Sequence, residues 1–173
     1  PIVQRQAAIA EGIGLGAIVR YCYRPFDTRY LYWYPHGKLF DEKRPDYFPQ
    51  TWGGNYWLAA VQQNRRTADA PCVTDQLAAL HLIERGANYF PQRLKQSSDP
   101  DAEVRENLTQ EAQRYATQIS GADPDIFWHV VATLHCDRYR AENSGGLRFD
   151  WPRIPLPATR EALAASAELG REI

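Results

Sequence analysis

Asp27 and the run Asp41-Glu42-Lys43 are the residues of this chain whose types could cut a phosphodiester. Two carboxylates can hold a magnesium ion and its nucleophilic water while a lysine steadies the scissile phosphate. The spacing argues against that reading, because the lysine falls in a loop-like stretch and Asp27 sits beside Arg24 and Arg29, either of which can claim its charge. Other catalytic patterns fail outright. There is no Pro-Pro pair from which to build the turn that holds a flipped base in an amino-methyltransferase, so methyl transfer is excluded from this chain. There is no Gly-x-x-x-x-Gly-Lys-Ser/Thr loop and no His-Glu-x-x-His, and His129 and His135, six apart, fall on different sides of a helix. Gly12, Gly14 and Gly16 precede a strand-like run where a nucleotide loop should open a helix. No catalytic residue, no metal site and no cofactor are assigned to the chain itself.

Composition narrows the class. The 173 residues include 44% apolar residues and carry a net charge of −1. That is enough to bury one core without disulfides or metal. Cys22, Cys72 and Cys136 are odd in number and widely separated, which fits neither a disulfide framework nor a zinc ribbon. With no secretory leader and no apolar run of about 20 residues, a reducing cytoplasm is the expected setting. The chain contains no methionine, so it is read as a piece of a longer polypeptide. The near-neutral charge hides a gradient. Residues 20–66 hold eight Lys/Arg against four acids, whereas residues 67–125 hold five against ten. A basic, aromatic amino-terminal third can face a polyanion while the acidic middle faces elsewhere.

Tyr23-Arg24-Pro25-Phe26-Asp27-Thr28-Arg29 packs a fixed turn and two guanidiniums between aromatic rings. Pro25 sets its own φ and keeps Arg24 out of the helical region, so a turn should open a strand running from Arg29 to Tyr34. A strand is also expected before it, through Ile18 to Tyr23, and another over Tyr56 to Gln62. Thr74 is placed to cap a helix with Leu77, Leu80 and Ile83 on one face, ending at Gly86. Asp99-Pro100 should start a helix bearing Val104, Leu108, Ala112, Tyr115 and Ile119, and Asp123-Pro124 a strongly apolar central one running toward Asn143-Gly146. Trp151-Pro152-Arg153-Ile154-Pro155 and Pro157 forbid helix and predict an extended path, followed by a last helix from near Thr159. The mixed order is that of an α+β fold, a single domain over residues 1–173 with short strands first and helices around an apolar core helix after.

The Tyr-Arg-Pro-Phe-Asp-x-Arg block, Asn55-Tyr56-Trp57-Leu58 with Arg65, Phe90-Pro91, the run from Ile126 to His135 leading to Tyr139-Arg140, and Trp151-Pro152-Arg153-Ile154-Pro155 occur in this order over most of the chain. In these blocks the sequence resembles the carboxy-terminal target-recognition domain of type ISP restriction-modification enzymes and related adenine-specific DNA methyltransferases. It departs from them at Gln92-Arg93, where the family continues with apolar and aromatic residues. The resemblance implies a non-catalytic module that recognises double-stranded DNA beside a methyltransferase domain of the same polypeptide. It also implies S-adenosylmethionine for the parent enzyme, together with Mg2+ and ATP where the parent restricts DNA. A signature shared by readers of different sites cannot itself read sequence, so Tyr23, Arg24, Pro25, Phe26, Asp27, Arg29 and Trp151 to Pro155 are expected to be structural. Asp27 is expected to form a buried forked ion pair with Arg24 or Arg29. The expected DNA contacts are the polar, loop-borne Lys38, Lys43, Arg44, Gln50, Asn55, Gln62, Gln63, Asn64, Arg65 and Arg66. Arg and Lys suit guanine edges, and Asn and Gln suit adenine. The competing reading is an interaction module that packs on the methyltransferase through its aromatic surface and touches DNA little.

Overall fold

After a first short helix the chain builds strands as far as Glu106 and helices from Gln110 onward. The structure, a computed structural model, describes residues 2–12, 18–33, 46–63, 71–79, 82–83, 86–97, 99, 101–120 and 123–173. A short helix α1 (Ile2–Ala10) leads into β1 (Ile18–Arg24) and β2 (Asp27–Tyr32), which pair antiparallel as the Pro25 turn dictates. A short strand β5 (Leu77–Ala78) adds to β1 in parallel, giving the order β2-β1-β5. The second sheet has β3 (Trp57–Ala60) between β4 (Cys72–Thr74) and β6 (Asn88–Pro91), all antiparallel. The ribbon of β7 (Arg93–Lys95) and β8 (Val104–Glu106) follows. The helices are α2 (Gln110–Gln118), α3 (Asp123–His135), α4 (Asp137–Glu142), α5 (Ser144–Leu147) and α6 (Arg160–Arg171). The class is the expected α+β. Among the described residues no helix is long and apolar enough to cross a membrane.

Three expectations need correction. Thr74 does not start a helix. Its hydroxyl accepts the Gln76 N–H, a local turn that carries the chain from β4 in one sheet to β5 in the other, and long-range pairing of both strands outweighs the helical spacing of Leu77 and Ile83. Leu80 falls outside the described residues. The Asp99 carboxylate likewise accepts the Asp101 N–H in a turn. Val104 then lies in β8, and the helix waits for Thr109, whose hydroxyl takes the Ala112 N–H. The central helix stops at His135, and Asp137 begins a separate one.

Apolar positions account for the rest. All four residues of β3 are buried, and Leu58 meets Val131 and Leu134 of α3, with Val73, Phe127 and Ile154 packed around them. A second cluster joins Ala116, Ile126 and Leu163, so α3 is the member common to both. Helix α6 lies against α3 closely enough that a Cβ on Gly170 would stand 2.0 Å from the carbonyl oxygen of Trp128.

The proline-rich segment 151–157 has no strand partner among the described residues, and its prolines have no N–H to offer. Its carbonyls are taken at every second residue by a side chain from a different helix. Tyr139 of α4 donates to Arg153 O at 2.9 Å, His129 of α3 to Pro155 O at 2.9 Å, and Tyr115 of α2 to Pro157 O at 2.8 Å. A carbonyl only accepts, so Nε2 of His129 carries the proton and Nδ1 receives the Ser166 hydroxyl of α6 at 2.7 Å.

Gly170→Ala is expected to lower stability by about 1–3 kcal/mol through overpacking, although alanine is the better helix former by about 1 kcal/mol. A urea midpoint that rises or stays put would show that the two helices part freely there. Tyr115→Phe and Tyr139→Phe should each cost about 0.5–1.5 kcal/mol, and His129→Leu about 1–3 kcal/mol, because it removes two hydrogen bonds at once, to Pro155 O and the Ser166 hydroxyl. Equal losses in all three would refute the central position given to His129.

Candidate nucleic-acid interface

Two amides chosen from the sequence as base readers do something else. Asn55 is fully buried and Gln50 is 6% exposed. Asn55 Nδ2 donates to Gln50 O at 2.7 Å and Arg93 O at 3.0 Å, while its Oδ1 accepts the Arg93 N–H at 3.0 Å. Gln50 Nε2 donates to Lys95 O at 2.9 Å and Asp46 O at 3.3 Å, and its Oε1 accepts the Lys95 N–H at 2.6 Å. Strand β7 pairs with β8 along one edge, and these two side chains serve Arg93 and Lys95 along the other. The pairing fixes the loop 46–56 on β7. Their polar atoms are committed to backbone groups, which no base edge can take without breaking the clamp.

Trp52 lies in the loop so fixed, with the Arg93 guanidinium 5.8 Å and the Lys95 ammonium 5.1 Å from its ring centroid. Arg93 also donates to Gly54 O. These two cations were not among the sequence candidates. The signal was there in the alternation of Arg93 and Lys95 around Leu94, at the point where the chain departs from the family pattern.

Of the remaining expected contacts, Gln62 and Gln63 are exposed just beyond β3. Lys38, Lys43, Arg44, Asn64, Arg65 and Arg66 fall outside the described residues, as does Asp41 of the nuclease pattern. Asp27 is described, and both its oxygens are engaged by Arg29, with Nη2 at 2.8 Å and Nε at 3.1 and 3.2 Å. The fork is as expected, but its surroundings are not. The side chains are 38% and 58% exposed, because β2 is an edge strand with the pair lying next to the turn. The Arg29 hydrogen bond holds the Asp27 carboxyl below the ordinary range. Arg29 also lies 4.0 Å from the Tyr23 ring centroid, so the tip of the hairpin is braced by one guanidinium against a carboxylate and an aromatic face. Past this brace stand Phe26, fully exposed at φ 65°, and Tyr30, 77% exposed.

A cleft of about 720 Å3 lies between the strands and the start of α3, with Asp75, Glu106, Arg93, Arg171, Tyr56 and Trp128 among its walls. Burial pushes the Glu106 carboxyl up, against the pull of Arg93. Arg171 is already paired with Asp125 at 2.5 Å and Glu168 at 2.6 Å. A cleft with balanced charges does not attract phosphate. No group of three or more His, Cys, Asp or Glu that could hold a metal ion occurs among the described residues.

Residues 5–173 match the family model described as the type ISP C-terminal specificity domain. No curated protein matches the chain. Among solved structures, the chain is similar to part of a DrdV–DNA complex determined by cryo-electron microscopy, with a TM-score of 0.72 and 27% identity, over 92% of this chain and 16% of that one. It is similar to part of a nuclease-deletion mutant of the type ISP restriction-modification enzyme LlaGI in complex with a DNA substrate mimic, with a TM-score of 0.64 and 25% identity, over 90% of this chain and 13% of that one. In the ATP-dependent type ISP enzyme LlaBIII bound to DNA the fold recurs with a TM-score of 0.72 at 17% identity, over 90% of this chain and 10% of that one. The chain thus spans a small part of each of these proteins.

Asn55→Asp, the same shape with a carboxylate facing two carbonyl oxygens, should cost about 3 kcal/mol or more by stranding Gln50 O and Arg93 O. Trp52 emission should shift to the red as the loop lifts from β7. An unshifted spectrum and an unchanged urea midpoint would show that the clamp is dispensable.

Proposed function

The chain belongs to the family of type ISP C-terminal specificity domains, and from that premise we propose that it recognises double-stranded DNA for a longer restriction-modification enzyme and carries out no chemistry itself. The observation that carries this reading is the family match over residues 5–173, joined to two structural relatives at 25% identity or above that are DNA complexes. The braced hairpin and the clamped loop supply what such a module requires, cations and aromatic rings on backbone that does not yield on contact. The basic residues 38–66 carry the positive charge that phosphates would meet. In the parent, a methyltransferase domain using S-adenosylmethionine would act on the adenine of the recognised site, and Mg2+ and ATP would serve restriction. The nuclease alternative loses its first ligand, because Asp27 is spent on Arg29.

A contact with another domain has its own support. Ile2, Val3 and Ile9 of α1 are all more than 60% exposed, an apolar surface suited to protein rather than to phosphate. It lies on a different element from the hairpin.

Anisotropy with a randomised duplex pool separates the two surfaces. Binding through a few phosphates should weaken on the order of 10- to 100-fold between 50 and 200 mM salt. Arg65→Ala with Arg66→Ala should flatten the log–log salt slope by about 2 if both residues reach phosphates. Binding that ignores salt, or enriches no short sequence on selection, would shift the function to the protein-packing surface.

A further inference from the structure

Phe26 is the most exposed large apolar side chain among the described residues, and it stands at the very tip of the hairpin. Its φ of 65° lies in the left-handed region, where a bulky side chain is strained. The chain therefore holds an uncovered ring in an unfavourable conformation, and three features keep it there. Pro25 fixes the preceding φ. The pairing register shifts between Cys22 and Arg24, so that Arg24 opposes Asp27 across a two-residue turn. Arg29, forked on Asp27 and stacked on Tyr23, stiffens the base of the tip. Strand β5 reaches only Tyr21 and Cys22, so beyond them the hairpin projects as a two-stranded ribbon. A ribbon of that width enters a DNA groove. The whole hairpin carries Arg20, Arg24 and Arg29 against one acid, Asp27, and of these arginines Arg24 lies on the part beyond Cys22.

An apolar ring on a cationic ribbon fits one partner chemistry best. Proteins that open a base step insert an apolar wedge while neighbouring arginines hold the flanking phosphates. On the proposed reading of the chain as a DNA-recognition module, we infer that Phe26 is a wedge that enters a base step of the bound duplex, with Arg24 of the same turn beside it for a flanking phosphate while Arg29 stays the brace on Asp27. The strain at Phe26 then serves preorganisation, since the ring is presented before DNA arrives. As part of a block shared by readers of different sites, the wedge deforms the duplex and positions it, and the reading of the site is left to other residues.

The test uses the 173-residue chain and a duplex enriched by it from a random pool, with 2-aminopurine substituted step by step. Unstacking at one step should raise the 2-aminopurine signal with the unsubstituted chain and with Phe26→Trp, and not with Phe26→Ala. The alanine variant should melt at the same temperature, keep its salt slope, and bind about 5- to 150-fold more weakly, the loss expected for one base–aromatic stack. Salt-sensitive binding with no signal rise at any step, or a rise that survives Phe26→Ala, overturns the wedge and leaves the recognition reading intact. A chain whose Phe26→Ala variant distorts DNA normally but no longer associates with the parent's methyltransferase domain assigns the ring to a protein pocket and also overturns the wedge. Absence of any salt-sensitive binding removes the recognition reading and the wedge together.

Discussion

Extended backbone repeats every two residues, and this protein meets that repeat with side chains where no strand is available. Along β7, Asn55 and Gln50 answer the N–H and C=O of Arg93 and Lys95. Along the proline-rich segment, Tyr139, His129 and Tyr115 answer the carbonyls of residues 153, 155 and 157. Backbone polar groups kept from water without a partner would cost free energy on each of these edges. A third strand would satisfy them but would also make the edge straight and long. Single side chains satisfy them and leave the neighbouring backbone free to turn, which is how a loop and a strap of irregular shape come to be fixed.

The two sets of donors bind the halves of the molecule in different ways. The strap ties α2, α3 and α4 to one extended segment, and Ser166 brings α6 into the same network through His129. Trp151, at the beginning of the strap, sets its ring against Phe90 of β6 with centroids 5.5 Å apart, so the strap also reaches the strand layer. The amide clamp acts within the strand layer, where it fixes the loop that begins after the basic residues 38–44 and ends at β3. In the proposed role the half-buried Arg93, Lys95 and Trp52 gain from this, because ordering a loop at the moment of binding would subtract from affinity.

Much of this could be read from the chain because it is local. Pro25 announces a turn, Thr159 a helix start, and the prolines at 152, 155 and 157 an extended path, and each works through its own backbone. The apolar run from Ile126 to Leu134 marks a core helix for the same reason. What could not be read depends on partners distant in sequence. Thr74 has the same hydroxyl whether it caps a helix or closes a turn, and the choice rests on β3 and β1, about 15 and 50 residues away. Asn55 and Gln50 look like base readers because an amide offers a donor and an acceptor to adenine and to a peptide group alike. Only burial separates the two uses. Asp27 was misplaced in the opposite sense, since an ion pair shows in the sequence but the layer that would cover it does not.

Net charge sets how a module like this divides its work in the proposed role. At −1 the chain as a whole has little long-range pull on a polyanion, so attraction by charge is confined to the basic stretch of residues 20–66. In the proposed role affinity would come largely from elsewhere in a parent polypeptide, where a covalent tether turns a weak contact into an intramolecular one. Freed from holding DNA by charge, the module can keep acids near its cations, as Asp27 does with Arg29, and use them to fix geometry. Its discrimination then depends on whether rigid parts fit, because a contact that adds little affinity everywhere adds the same little to wrong sites and right ones. A braced tip and a clamped loop suit that division, in which the tether would supply the concentration and the rigid fold the fit.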